Sequence, residues 1–190
     1  MGGLDKPLLP LGDATVIDHV IERIRPQVSA LAINANGDPG RFAHLGLPVL
    51  RDMDDERPGP LAGVLAGLDW ASSLGASAVV TVAGDTPFFP RDLVQRLAAS
   101  VSDDTPIALA ATQAGGERVM RHPTFGLWPV SLRDDLAIAL SGGVRKIVAW
   151  TDTHGAAAVV FDSASYDPFF NLNAPEDRDA AEALLRQMAA

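Results

Sequence analysis

Residues 77–85 read SAVVTVAGD, an apolar run that ends in Gly84 and an acid, Asp85, with Pro87 two positions further on. A short apolar run rich in β-branched residues and bounded by turn residues is the pattern of a strand buried on both faces. Outward from it, VSALAIN (28–34) and LPVLRD (47–52) repeat the design and end in Asn34 and Asp52. PIALAAT (106–112), TFGLW (124–128), KIVAW (146–150) and AAAVVF (156–161) complete the strand candidates. Between them lie helical spacings. Val16, Ile17, Val20, Ile21 and Ile24 follow Asp13, a cap candidate, and stop at Pro26. Leu61, Val64, Leu65 and Leu68 follow Gly59 and Pro60, and Leu93, Val94 and Leu97 follow Pro90. SLRDDLAIAL (131–140) is closed by Gly142 and Gly143, and the tail opens with Asn173 and Pro175 before Leu184, Leu185 and Met188. Strands alternating with helices predict an α/β fold of three layers, α/β/α, with a doubly wound, mostly parallel sheet. Ligands of such sheets gather outside the carboxyl ends of the strands, which directs attention to Asn34 to Asn36, Asp52 and Asp85.

With 190 residues the chain has the size of one domain, and no linker or solenoid repeat divides it. Its formal charge of −9 argues against nucleic-acid or anionic-membrane binding, where lysine and arginine must neutralise phosphates. The absence of cysteine excludes disulfides, thiolate nucleophiles and cysteine-ligated metals. No apolar run reaches the roughly 18–20 residues of a membrane span, and MGGLDKPLLPLGD lacks the pattern of a secretory leader. A soluble, cytoplasmic protein is the expectation. Only two of the 15 basic residues are lysines, Lys6 and Lys146, which makes a lysine within a motif more noticeable.

Three features carry chemistry. Asp85, at the end of a rigid strand, can offer a carboxylate to a magnesium ion bridging nucleotide phosphates, or can cap the turn before Pro87. Lys6, beside Asp5 in a Gly-rich start, can meet phosphates as a point charge, or belong to a flexible end. GPLAG (59–63) allows a helix N-terminus to approach an anion or a base, or is ordinary helix punctuation.

These motifs occur in one order along the chain: MGGLDKPLL at the start, NAN at 34–36, GPLAG at 59, GDTPFFPRDLV at 84, HPTFGLW at 122, RKIVAW at 145 and FNLNAPED at 170. The ordered set resembles the molybdenum cofactor guanylyltransferase family over nearly the whole chain. The resemblance implies a nucleotide-diphospho-sugar transferase-like, Rossmann-type fold and transfer of GMP from GTP to molybdopterin cofactor, with magnesium as cofactor. Residue by residue it implies Lys6 as a phosphate contact and Asp85 as the metal ligand, both catalytic, with Asn34, Asp52, Gly59, Pro60 and Leu61 beside the nucleotide. It assigns His122, Pro123, Arg145, Lys146, Asn171 and Asn173 to the pterin substrate. Each of three has a plainer role: Asn173 also fits a helix cap, His122 a turn and Lys146 a solvated charge. GTP and molybdopterin cofactor are the partners expected, with other cofactor-biosynthesis proteins or the acceptor enzyme as transient contacts.

One departure stands out. The family pattern places a strand and a Gly-Gly-x-x-x-Arg loop before Met-Gly-Gly, and this sequence begins at that methionine. Residues 1–190 are therefore expected to be one nucleotidyltransferase domain, N-terminally truncated relative to the family, with weakened nucleotide binding and a sheet lacking a central strand. A start assigned too late and a degraded copy are the two explanations. The alternatives in function are a related nucleotidyltransferase using CTP or a sugar phosphate, and an inactive nucleotide-binding remnant.

Overall fold

The helical spacing after Thr15 folds as the pattern dictates: Val16, Ile17, Val20 and Ile24 are all buried along α1 (Val16–Ile24). The computed structural model describes residues 5–52, 59–113, 119–172 and 175–189. The cap of α1 is Thr15, two positions later than the sequence suggested, because Asp13 lies in the turn between β1 (Pro10–Leu11) and β2 (Ala14–Thr15). Asp18 Oδ2 accepts hydrogen bonds from Thr15 Oγ1 at 2.6 Å and from Thr15 N at 2.9 Å. The hydroxyl bond holds the Asp18 carboxyl below its usual range and closes the first turn.

The strands lie in two parts. β3 (Ile33–Asn34) and β4 (Val49–Leu50) form a short parallel ladder. β5 (Ala78–Thr81), β6 (Ile107–Gln113), β7 (Val119–Pro129) and β8 (Ala156–Phe161) form a four-stranded sheet in the order β5-β7-β6-β8. β6 and β8 are parallel, while β7 is antiparallel to both of its neighbours, so the expected mostly parallel sheet is mixed. The cause is chain length: only residues 114–118 join β6 to β7, too few for the crossover that a parallel neighbour needs.

Alternation along β6 sorts the core into two faces. Ala108 and Ala110 face α1 and α3 (Leu93–Ala98), together with Phe89, Phe125 and Phe161. Ile107 and Leu109 face α2 (Pro60–Ser73), α4 (Arg133–Ser141) and α5 (Ile147–His154). The three-layer α/β/α reading of the sequence is the architecture seen. α2 rests on both ladders at once, with Gly63 against Asn34 of β3 and Gly67, one turn on, against Val79 of β5.

KIVAW is not a strand. It opens α5, because Ile147, Trp150 and Thr151 are buried at helical spacing, a periodicity that an apolar run of only four residues, Ile147 to Trp150, cannot display. At the other end, α6 (Pro175–Ala189) packs Leu184 and Leu185 on a cluster containing Leu11, Val16, Phe88 and Leu172. Gly12, at the tip of the β1–β2 hairpin with φ +60°, leaves room for Leu185, whose Cδ2 lies 2.8 Å from where a Cβ would stand. The β1–β2 hairpin is thereby held against α6.

Candidate active site

Asp85 lies four residues past Thr81, the last residue of β5, and is half-buried. Its position is set by main chain and by a hidden hydroxyl. Leu172 N donates to Asp85 O at 3.0 Å, which seats the 170–172 segment directly on the acid. Thr86 is completely buried, and its Oγ1 donates to Asn171 Oδ1 while lying 3.3 Å from Asp85 Oδ1. The Lys6 turn joins the same place: a Cβ on Gly84 would lie 3.5 Å from Pro7 Cγ, so Pro7 rests on the turn that carries Asp85. Lys6 itself opens a 3-10 turn, Lys6–Leu8, and is half-buried rather than a loose end. One arm of the site thus brings together Lys6, Asp85 and Asn171.

The second arm grows from β3 and β4. Asn34 and Asn36 are two apart on extended chain and so project to the same side. Both reach Asp52: Asn34 Nδ2 donates to Asp52 Oδ1 at 3.0 Å and Asn36 Nδ2 to Asp52 Oδ2 at 2.9 Å. Asp52 N returns a bond to Asn36 Oδ1 at 3.0 Å. The first turn of α2 closes on this cluster at Gly63, where a Cβ would fall 2.4 Å from Asn34 Oδ1. Gly59 and Pro60 begin α2 at the rim, but Leu61 is fully buried among Leu136 and Trp150 and can serve a ligand only through its backbone.

The residues assigned to the pterin divide. His122 stacks on Phe169 with ring centroids 4.4 Å apart, which places it with the Asn171 segment. It is half-buried, and burial, against an opposing pull from Asp167, lowers its pKa and so favours the uncharged ring; Nε2 lies 2.9 Å from Thr112 Oγ1. Pro123 follows in an irregularity of β7: Leu109 pairs with Gly126 and Ala110 with His122, so residues 123–125 have no partner in β6. Arg145 goes with α2 instead, its carbonyl 4.0 Å from the Cβ position of Gly59. Its Nη1 donates to Leu140 O and Val144 O at 2.8 and 2.7 Å, so that part of the guanidinium finishes α4. Lys146 is exposed at the start of α5, and Asn173 lies outside the described residues.

Among the described residues no group of three or more His, Asp or Glu side chains converges on a point. What stands at Asp85 is one carboxylate with a neighbouring amide oxygen, Asn171 Oδ1, a few atoms away. Hard oxygen donors in such small number suit a magnesium ion whose shell is completed by substrate phosphates and water. The arrangement can neutralise and align phosphates. The sequence reading missed Thr86, Gly63 and Arg41, which ties the two arms together through Asp5 and Asn36. Asn36, Gly63 and Thr86 lay inside the motifs NAN, GPLAG and GDTP, without a role of their own; Arg41 had no motif, and its contact with Asp5, like that of Thr86 with Asn171, joins residues distant in sequence.

Comparison with known proteins follows the same lines. A family model described as a MobA-like NTP transferase domain matches residues 1–158. A molybdenum cofactor guanylyltransferase of Cereibacter sphaeroides is 52% identical over 189 residues, covering 100% of this chain and 92% of that protein. One from Mesorhizobium japonicum is 48% identical over 193 residues, covering 99% and 91%. Among solved structures, molybdopterin-guanine dinucleotide biosynthesis protein A from Archaeoglobus fulgidus superposes with a TM-score of 0.73 over 98% of this chain and 93% of its own, at 20% identity. That last likeness speaks for the fold alone.

Proposed function

The chain belongs to the MobA-like NTP transferase family and, within it, to the molybdenum cofactor guanylyltransferases, and from that premise we propose that it transfers GMP from GTP to molybdopterin cofactor. The reaction is an in-line displacement. A terminal phosphate oxygen of the pterin attacks the α-phosphorus of GTP, the bond from that phosphorus to the bridging oxygen breaks, and pyrophosphate leaves. No protein nucleophile is needed, so the protein contributes alignment and charge.

The observation that supports this reading is the packing of Pro7, in the Lys6–Leu8 turn, against Gly84, which brings the segment bearing Lys6 to the turn that carries Asp85 beyond the end of β5. In this assignment Asp85, with Asn171 nearby, holds magnesium, and Lys6 takes up phosphate charge. Bound magnesium supplies charge neutralisation on the phosphates. Asn34 and Asp52 receive the guanine nucleotide on the other arm, next to the first turn of α2. His122 and Asn171 face the pterin, and the neutral ring of His122 suits stacking or hydrogen bonding better than ion pairing. Among the described residues no helix is long and apolar enough to cross a membrane.

A competition panel tests the nucleotide. Fluorescent GTP bound in the presence of magnesium should be displaced by GTP, and not by CTP or ATP at the same concentration. Equal displacement by CTP would make the protein a cytidylyltransferase of the same fold.

A further inference from the structure

Among the described residues, the polar link between the two arms of the site runs through Arg41. Arg41 lies in a 3-10 segment, Pro39–Leu45, that is fixed to the core by Phe42, itself 2% exposed and packed with Ile17 and Ile33. Its guanidinium carbon stands 4.8 Å from the Phe42 ring centroid. From that base the fork reaches in two directions: Nη2 donates to Asn36 O at 2.8 Å, and Nε, a buried nitrogen that makes no hydrogen bond, lies 3.1 Å from Asp5 Oδ2 as an ion pair. Gly37, with φ +83°, presents no side chain to the fork, and a Cβ there would already be 3.7 Å from Arg41 Nη1. Asp5 immediately precedes Lys6, and Asn36 is the residue that holds Asp52 by both its main chain and its carboxylate.

We propose that Arg41 is a positioning residue which, by bridging Asp5 and Asn36, sets the separation between Lys6 and the Asn34–Asn36–Asp52 cluster, so that base and polyphosphate of one nucleotide are registered together. The inference rests on the assignment of Lys6 to phosphate and of Asn34 and Asp52 to the nucleotide. A lysine is a point charge on a flexible stem, and its use at a fixed distance depends on how firmly its backbone is held. Arginine suits the bridge because its planar fork can meet a carboxylate and a carbonyl at once, which the single ammonium of lysine cannot do at this spread. Both members of the Arg41–Asp5 pair are about one-third exposed, at 34% and 33%, so the bridge adds little to stability and acts on register instead.

The test is calorimetric titration of GTP and of GMP, each with magnesium, into the wild type and the variants R41M, D5N, D5N/R41M and K6M. R41M and D5N should each weaken GTP by about fivefold and leave GMP within about twofold, with the double variant no weaker than either single one. D5N alters only a surface carboxylate and keeps the comparison available if R41M melts early. K6M should bring GTP affinity down towards that of GMP. Equal loss of GTP and GMP in R41M would overturn the proposal by showing that Arg41 merely shapes the Asn36 loop. A larger loss of GTP in R41M than in K6M would overturn it too, since Arg41 would then touch phosphate itself. If K6M keeps the preference for GTP, the phosphate role of Lys6 falls and the proposal falls with it. If K6M loses the preference while R41M and D5N keep it, the bridge alone is refuted.

Discussion

Gly63→Ala should separate the site from the fold. Alanine in a helix interior is favoured over glycine by roughly 0.8–1 kcal/mol, so on propensity alone the change stabilises α2. The new methyl, however, would stand 2.4 Å from Asn34 Oδ1 and 3.3 Å from its Cγ. α2 cannot retreat, because Leu61 and Val64 on either side of that position are 0% and 3% exposed. The Asn34 side chain must therefore rotate, and the bond from its Nδ2 to Asp52 Oδ1 at 3.0 Å is broken. A hydrogen bond to a charged acceptor contributes about 1.5–3 kcal/mol, the lower figure applying to a pair that is not buried. The two terms nearly cancel, leaving a net destabilisation below about 1 kcal/mol and a melting temperature within a few degrees of wild type. Nucleotide affinity has no such compensation, and loss of a correctly placed Asn34 should weaken GTP about tenfold, equivalent to about 1.4 kcal/mol. Thermal melts and GTP titrations on Gly63→Ala, Asn34→Ala and the double variant measure both. The double variant should bind GTP no worse than Asn34→Ala alone, since the atoms that clash are gone. Wild-type GTP affinity in Gly63→Ala, with an unchanged or higher melting temperature, would refute the placement of Asn34 in the nucleotide site.

Asp85→Asn, nearly isosteric, should melt close to wild type while losing at least about a hundredfold in magnesium-dependent turnover; a lower melting temperature with undiminished turnover per folded molecule would make Asp85 a turn cap. Alanine at Asn34 or Asp52 should weaken GTP binding measured without the pterin, whereas alanine at His122 should spare GTP binding and slow transfer; equal effects on GTP affinity would erase the partition between nucleotide and pterin residues. The depressed pKa of His122 means that the unfolded chain takes up a proton more readily than the folded one, so its contribution to stability is present above the ordinary value of 6.5 and lost as pH falls from there through the lower folded value. His122→Phe, which keeps a ring for Phe169 to stack on, should flatten that fall in melts taken between about pH 7 and pH 5, a range well above the titration of Asp18; parallel curves for the two proteins would count against it.

The layers were legible because burial leaves a period in the sequence. SAVVTVAGD and AAAVVF contain β5 and β8, PIALAAT covers β6 up to its last residue but one, and the spacings in α1 and α2 match buried faces. KIVAW was misleading for a physical reason, since the four consecutive apolar residues after Lys146 satisfy a strand and one turn of a buried helix equally well. The direction of β7 depended on the short link to β6 rather than on its own residues. Nothing local in PLLPLGD shows that Leu11 is 0% exposed and packed with α6, a contact across almost the whole chain. The same limit applies within the site. Asp85, Lys6, Asn34 and Asp52 stand at strand ends or in motifs, whereas the bond of Thr86 to Asn171, 85 positions away, and the pairing of Arg41 with Asp5, 36 positions away, leave no pattern in the sequence.

The most direct measurement of guanylyl transfer is to incubate the chain with molybdopterin cofactor, magnesium and GTP labelled at its α-phosphate, and to follow label in the pterin product together with released pyrophosphate. A guanylyltransferase places label in the pterin with one pyrophosphate per transfer, does so from GTP and not from α-labelled CTP, and loses the signal on Asp85→Asn. Label arriving equally well from CTP, or a pterin that stays unlabelled with GTP present, would contradict the assignment of this protein as the enzyme that joins GMP to molybdopterin cofactor.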